Sequence, residues 1–174
     1  MRADLTRAIK TRAAVVAVGP STARGQGARG VVGALRVALD EVPLARLAKS
    51  RQASFARSLD ASTQTVMAAL PRPARSWGLA RKCLNIFLRD CFYNAYLRDA
   101  YGLAVAERWF EVPLDRVVAE GLKEQLTDVL PRWPGVKRVT PDLSARYQDG
   151  AMNLSQEWGI TRVHLDTYLW VAGR

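Results

Sequence analysis

Two side chains in this sequence are placed where chemistry is easy to arrange. In "SWGLARKCLNIFLRD", Ser76 to Asp90, Lys82 follows Arg81 at the entry to a long apolar helix. A helix start and a neighbouring cation both disfavour an ammonium, and a lysine that releases its proton is a nucleophile. In "FEVPLDRVVAEGL", Phe110 to Leu122, Pro113 stiffens the approach and Asp115 opens an amphipathic helix. There Asp115 is a carboxylate at a helix entrance, and also a preferred capping residue, in which role it contributes about 1 kcal/mol. Lys82 has a plain alternative too, which is to reach solvent along its own stem.

Other residues offer binding rather than catalysis. On the helix after Ser76, Leu84, Phe87, Leu88, Cys91 and Ala95 keep 3.6-residue spacing and are expected to face the core. Lys82, Asn85, Arg89, Tyr93 and Tyr96 form a different strip, with donors and rings together, as nucleic-acid surfaces use them. The loop "STARGQGARG", Ser21 to Gly30, can bring backbone amides and Arg24 to phosphates, or serve only as a connector. Arg24, Gln26 and Asn85 are candidate donors to phosphates or base edges, and Trp77, Tyr93, Trp109 and Trp133 are candidate stacking partners.

Composition bounds these readings. The chain has 174 residues, 49% of them apolar, enough for one hydrophobic core. Lys and Arg number 26 against 16 Asp and Glu, a net charge of +10 concentrated in residues 1–60. The bases are mostly arginine, whose planar fork suits phosphate, so the expected partner is nucleic acid before a membrane surface. No run of eighteen apolar residues occurs, and the apolar stretch Ala13 to Val18 is too short for a secretory core, so a cytoplasmic protein with no membrane partner is expected. Cys83 and Cys91 lie two helical turns apart, beyond disulfide reach, and His164 is the sole histidine. A thiolate or imidazole metal cluster is therefore not expected, and no cofactor is implied. His164, Tyr168 and Trp170 read as structural, and Asp166 is within reach of Arg162.

Helical periodicity recurs throughout and two-residue alternation does not, which predicts an all-α fold in a single domain over 1–174. The expected helices are 3–18, 29–41, 43–58, 61–70, 76–101, 114–129, 141–157 and 161–171. Thr140 before Pro141 is a cap followed by proline at the first helical position. Pro71, Pro73, Pro131 and Pro134 punctuate the connections.

Taken in order, "ARKCLNIFLRD" and "VPLDRVVA" resemble the lysine and aspartate motifs of the helix–hairpin–helix DNA glycosylase superfamily, nearest its archaeal 8-oxoguanine glycosylase branch. The resemblance covers Arg75 to Leu122. It implies a compact multi-helix fold acting as a monomer on DNA with a damaged or modified base, in base-excision repair or in defence against modified phage DNA. Lys82 and Asp115 would then be catalytic. Asp115 would stabilise positive charge on the sugar, and Lys82 would attack C1′ to give a Schiff base. Arg75, Trp77, Gly78, Arg81, Asn85 and Arg89 would join Arg24 and Gln26 against the DNA. The family's hairpin reads Leu-Pro-Gly-Val-Gly-x-Lys, whereas this chain has "RSWGLARK" with Gly78 alone. A rival match, "LPRWPGVK" at Leu130 to Lys137 with Asp166 as partner, is disfavoured because Pro141 interrupts any helix begun at Lys137. The alternatives to an enzyme are a non-catalytic nucleic-acid-binding module, which accounts for the charge, and a helical adaptor using the five tryptophans as anchors.

Overall fold

The computed structural model describes residues 1–23, 25, 26, 28–126 and 130–172, and these are all-α with no strand among them. The helices are α1 (Arg2–Ala17), α2 (Val31–Asp40), α3 (Leu44–Leu47), α4 (Gln52–Ala69), α5 (Trp77–Tyr93), α6 (Ala95–Tyr101), α7 (Arg116–Gln125), α8 (Pro141–Glu157) and α9 (Leu165–Ala172). Short 3₁₀ turns at Arg72–Ala74, Leu103–Trp109, Val136–Arg138 and Arg162–His164 join them. No described helix is long and apolar enough to cross a membrane.

The boundaries differ from expectation where caps intervene. The helix expected over 76–101 stops at Asn94, whose side chain accepts from the Leu97 amide at 3.1 Å and so starts α6 afresh. Expected helices 43–58 and 61–70 give way to a four-residue α3 and an uninterrupted α4, since no Gly or Pro lies between Gln52 and Ala69 to break it. The last helix begins at Leu165 because Arg162–His164 is a 3₁₀ turn, and 127–129 of the expected 114–129 helix lie outside the described residues. Thr140 caps α8 as expected, accepting from Leu143 N at 3.2 Å with Pro141 at the first position.

The apolar side chains bury into two clusters. One gathers α1 to α6 around Leu35, Leu59, Leu84 and Phe87, and the other gathers α7, α8 and α9 around Val118, Leu122, Tyr147 and Leu165. The connection is the extended stretch from Phe110 in the first cluster to Val112 and Leu114 in the second, and Val163 returns to the first. Leu84, Phe87, Leu88 and Cys91 are buried on α5 as their spacing requires, but Ala95 lies beyond the Asn94 cap and is exposed.

Gly78 is packed tightly under the turn that follows Gly135. A Cβ built there would lie 2.1 Å from the Val136 carbonyl oxygen and 2.8 Å from Val139 Cβ. Its Cα–H face is covered by the chain's own Val136–Arg138 turn, so the DNA contact expected of Gly78 is blocked by close packing. Helix propensity alone would favour Gly78→Ala by roughly 1 kcal/mol. Instead the variant is expected to be destabilised by about 3 kcal/mol, because backbone rather than a flexible side chain must move. A lower urea midpoint with unchanged slope would show it; a gain in stability would contradict the packing.

Candidate functional site

Lys82 and Asp115 meet. Lys82 Nζ lies 3.5 Å from Asp115 Oδ2, with the lysine side chain only 10% exposed. Their placement differs in one respect from expectation. Ser76 is the N-cap of α5, accepting from the Leu79 amide at 3.4 Å, so Lys82 sits in the second turn and not at the helix mouth. Asp115 is at a helix entrance: its Oδ1 accepts from Val118 N at 3.1 Å and caps α7, leaving Oδ2 for the lysine. Capping and pairing are thus divided between the two oxygens of one carboxylate.

Both residues line a cleft of about 770 Å³ where the two apolar clusters adjoin. Helix α5 forms its floor through Lys82, Ile86, Arg89, Asp90 and Tyr93, a stripe at helical spacing. From Lys82 to Tyr93 this stripe runs about 16 Å, at 1.5 Å per residue. Arg12 and Val16 of α1 form one wall, and Pro113, Asp166 and Trp170 another. Ser21 and Thr22, from the loop after α1, complete the rim.

The segment that carries Asp115 is held from three directions. Gln148 of α8, buried, accepts from Val112 N at 3.1 Å and donates to Val112 O at 2.8 Å, closing on that peptide unit from both sides. Arg162 donates to the carbonyls of Trp109 at 3.0 Å and Phe110 at 3.1 Å. Glu111 takes a two-point contact from Arg81, Nε to Oε2 at 2.8 Å and Nη2 to Oε1 at 2.9 Å, and a further bond from Asn85 Nδ2 at 2.9 Å. Arg81 also reaches Asp60 Oδ1 at 2.9 Å and Thr63 Oγ1 at 2.8 Å.

Charge in this cluster is set by contest. Burial works to raise the Glu111 pKa, yet Arg81, Arg162 and the Asn85 amide together hold it below the usual carboxylate value. Burial also opposes the Arg81 charge, and Glu111 and Asp60 outweigh it, so its pKa stands above the ordinary guanidinium value. For Arg162 burial prevails over the pull of Glu111, and its pKa falls.

The expected DNA contacts divide accordingly. Arg81 and Asn85 turn away from the cleft into this buried network, so their donors are spent on Glu111, Asp60 and Thr63 and not offered to phosphate or base. Consecutive residues on a helix point about 100° apart, which is why Arg81 and Lys82 serve different faces. Arg75 donates to the carbonyls of Ala68 and Leu70, closing the end of α4. Trp77 stacks beneath the Arg81 guanidinium, 5.2 Å from ring centre to Cζ. Gln26 is buried, and Arg24 lies outside the described residues. Arg89 does line the cleft, but it is ion-paired with Asp90 at 2.8 Å and with Asp166. That pairing takes Asp166 from Arg162, its expected partner, while exposed Lys137 forms no ion pair with a described residue; the rival match is not assembled.

Of the stacking candidates only Tyr93 reaches the cleft. Trp109 donates to the Ser50 carbonyl at 3.2 Å, and Trp133 packs edge-on against Tyr147. Trp170 lines the cleft, although its helix read as structural. The Tyr93 hydroxyl lies 2.9 Å from His164 Nδ1, and His164 Nε2 lies 3.1 Å from Glu107 Oε1, which Thr161 also donates to at 3.0 Å. His164 is hydrogen-bonded as expected, and it fixes a ring of the cleft. Arg12 and Trp170 were not foreseen, since each comes from a terminal helix whose docking no local pattern announces. No protein-family model, no curated protein and no solved structure matches this chain.

Proposed function

We propose that this protein is a DNA glycosylase that draws a damaged or modified base into the α1–α5–α9 cleft and severs its bond to deoxyribose. One observation carries the proposal. Lys82 and Asp115, 33 positions apart, stand 3.5 Å from each other on the wall of a cleft large enough for a nucleotide. The net charge of +10, with Arg12 on the cleft and Tyr93 and Trp170 beside it, supports DNA as the partner. Reaching the glycosidic carbon requires extrusion of the nucleotide, at a cost of a few kcal/mol.

The pair sets an amine 3.5 Å from a carboxylate. Transfer from Lys82 Nζ to Asp115 frees a lone pair to attack C1′. As the new C–N bond forms, the C1′–base bond breaks with its electrons going to the base, and Asp115 returns the proton to the departing base. With water as nucleophile, the C1′–base bond breaks with its electrons going to the base, while Asp115 stabilises the cationic sugar, takes the water's proton and passes it to the departing base. The lysine route leads on to a Schiff base and strand cleavage; the water route ends at an abasic site.

The test is a panel of duplex and single-stranded DNAs carrying oxidised, alkylated, deaminated or phage-type modified bases, with borohydride added to trap a Schiff base. Abasic sites on at least one substrate are expected. A trapped protein–DNA adduct that disappears in Lys82→Gln would assign the lysine route. Salt-sensitive DNA binding without abasic sites on any substrate would instead support a non-catalytic binding module.

A further inference from the structure

A second cavity, of about 470 Å³, opens between the end of α2, α3 and α4, and shares no lining residue with the Lys82–Asp115 cleft. Three cations line it, Arg46, Lys49 and Arg57, against one carboxylate, Glu41. The side chains of Arg46 and Lys49 make no hydrogen bond or ion pair with any described residue, and that of Arg57 reaches only the Ser54 hydroxyl, at 3.3 Å. With three cations and one carboxylate the lining is net positive, and an anion that enters offsets that charge.

Beside Arg57, helix α4 adds hydroxyl groups to the lining, of which that of Ser58 already donates to the Ser54 carbonyl at 3.1 Å. Ser54, Ser58 and Ser62 fall four residues apart on α4 and so share one face. Ser62 is 7% exposed and lines the cavity with no hydrogen-bond partner among the described residues. The hydroxyl is open to the cavity and so is free to bond a ligand oxygen. Besides Thr65, whose hydroxyl donates to the Ala61 carbonyl at 3.1 Å, the rest of the lining is aliphatic, from Ala38, Val42, Pro43 and Ala61. The ligand therefore needs a strongly anionic end, hydroxyl or ring oxygens, and a body with an apolar face.

We propose that this cavity binds a nucleoside 5′-monophosphate, either free or as the 5′-phosphorylated end of a DNA strand. The phosphate meets the Arg46, Lys49 and Arg57 cluster, where guanidinium groups give two-point contacts. The sugar lies along the serine row and the base against Val42 and Pro43. The cavity volume falls within the range of small-ligand sites. This site stands apart from the glycosylase proposal, and either can fail without the other.

Calorimetric titration with deoxyadenosine 5′-monophosphate tests it, with inorganic phosphate as the comparison. The nucleotide is expected to bind at least about ten-fold tighter than phosphate, roughly 1.4 kcal/mol. Arg57→Glu, at an exposed position that keeps the fold, is expected to weaken binding about ten-fold or more, and Lys82→Gln to leave it unchanged. Displacement by a 5′-phosphorylated oligonucleotide, but not by its unphosphorylated twin, would identify a strand end as the source; no displacement would identify the free nucleotide. Absence of saturable binding at millimolar nucleotide, phosphate binding as tightly as the nucleotide, or loss in Lys82→Gln but not in Arg57→Glu would each overturn the proposal.

Discussion

If the protein is the proposed glycosylase, Asp115→Asn is expected to lower the rate of abasic-site formation by about 100-fold or more, while the protein stays folded. The expectation follows from the division of labour within one side chain. Oδ1 caps α7 through Val118 N, and asparagine caps as well as aspartate, so the helix start survives the change. Oδ2 faces Lys82 Nζ, and there the substitution replaces a negative oxygen by an amide. Removing a group aimed at developing charge typically costs a factor of 10² to 10³ in rate. Single-turnover rates measured beside urea unfolding curves separate the effects. An unchanged rate would reduce Asp115 to its capping role, whereas Asp115→Ala would lose the cap as well, at about 1 kcal/mol of stability.

The largest expected loss of stability comes from Glu111→Gln, about 3–5 kcal/mol. Arg81 and Glu111 face each other with side chains 9% and 14% exposed, and Asp60, the other carboxylate on Arg81, is 60% exposed. Neutralising Glu111 leaves a buried guanidinium with only a solvent-screened partner, and orphaned charges of this kind are costly. Replacing both members by apolar residues, as in Arg81→Met with Glu111→Leu, is expected to recover most of the loss, since desolvation of the ion pair is relieved together with its attraction. Denaturant titration of the single and double variants measures both. A Glu111→Gln protein as stable as the wild type would contradict the charge assignment.

The same pair shapes the response to acid. The folded-state pKa of Glu111 lies below its unfolded value, near 4.3 for a free glutamate. Its contribution is therefore complete above the unfolded value and is lost as the pH falls through the lower folded one. The acid limb of the stability profile is expected to flatten in Glu111→Gln, with no change in slope above pH 5. Because Glu111 lies four residues before Asp115, on the segment also held by Gln148 and Arg162, catalysis is expected to weaken along with stability in this variant.

Local pattern was enough for much of the helical fold. The spacing of Leu84, Phe87, Leu88 and Cys91 declares the buried face of α5, and Thr140–Pro141 declares the start of α8, because both signals act within one or two helical turns. Asn94 was readable in principle as a cap, yet it sits in a stretch free of Gly and Pro, and only the Leu97 bond decides that the helix restarts there. Lys82 and Asp115 stood out by residue type and by an expected place at helix entrances, which the structure gives to Asp115 alone, and their order resembled a known motif pair.

Tertiary packing decided the rest. Nothing local distinguishes Arg81 from Lys82, one step along the same helix, but α4 and the Glu111 segment claim the first, and the cleft receives the second. Gly78 read as a phosphate contact until the Val136–Arg138 turn, far along the chain, was seated on it. Arg12 and Trp170 come to one cleft from opposite ends of the sequence. Spacing along a chain encodes which face of a helix a residue occupies. Which partner covers that face depends on long-range burial, and here burial set Arg81 in a buried ion-pair network and left Lys82 at the wall of the cleft.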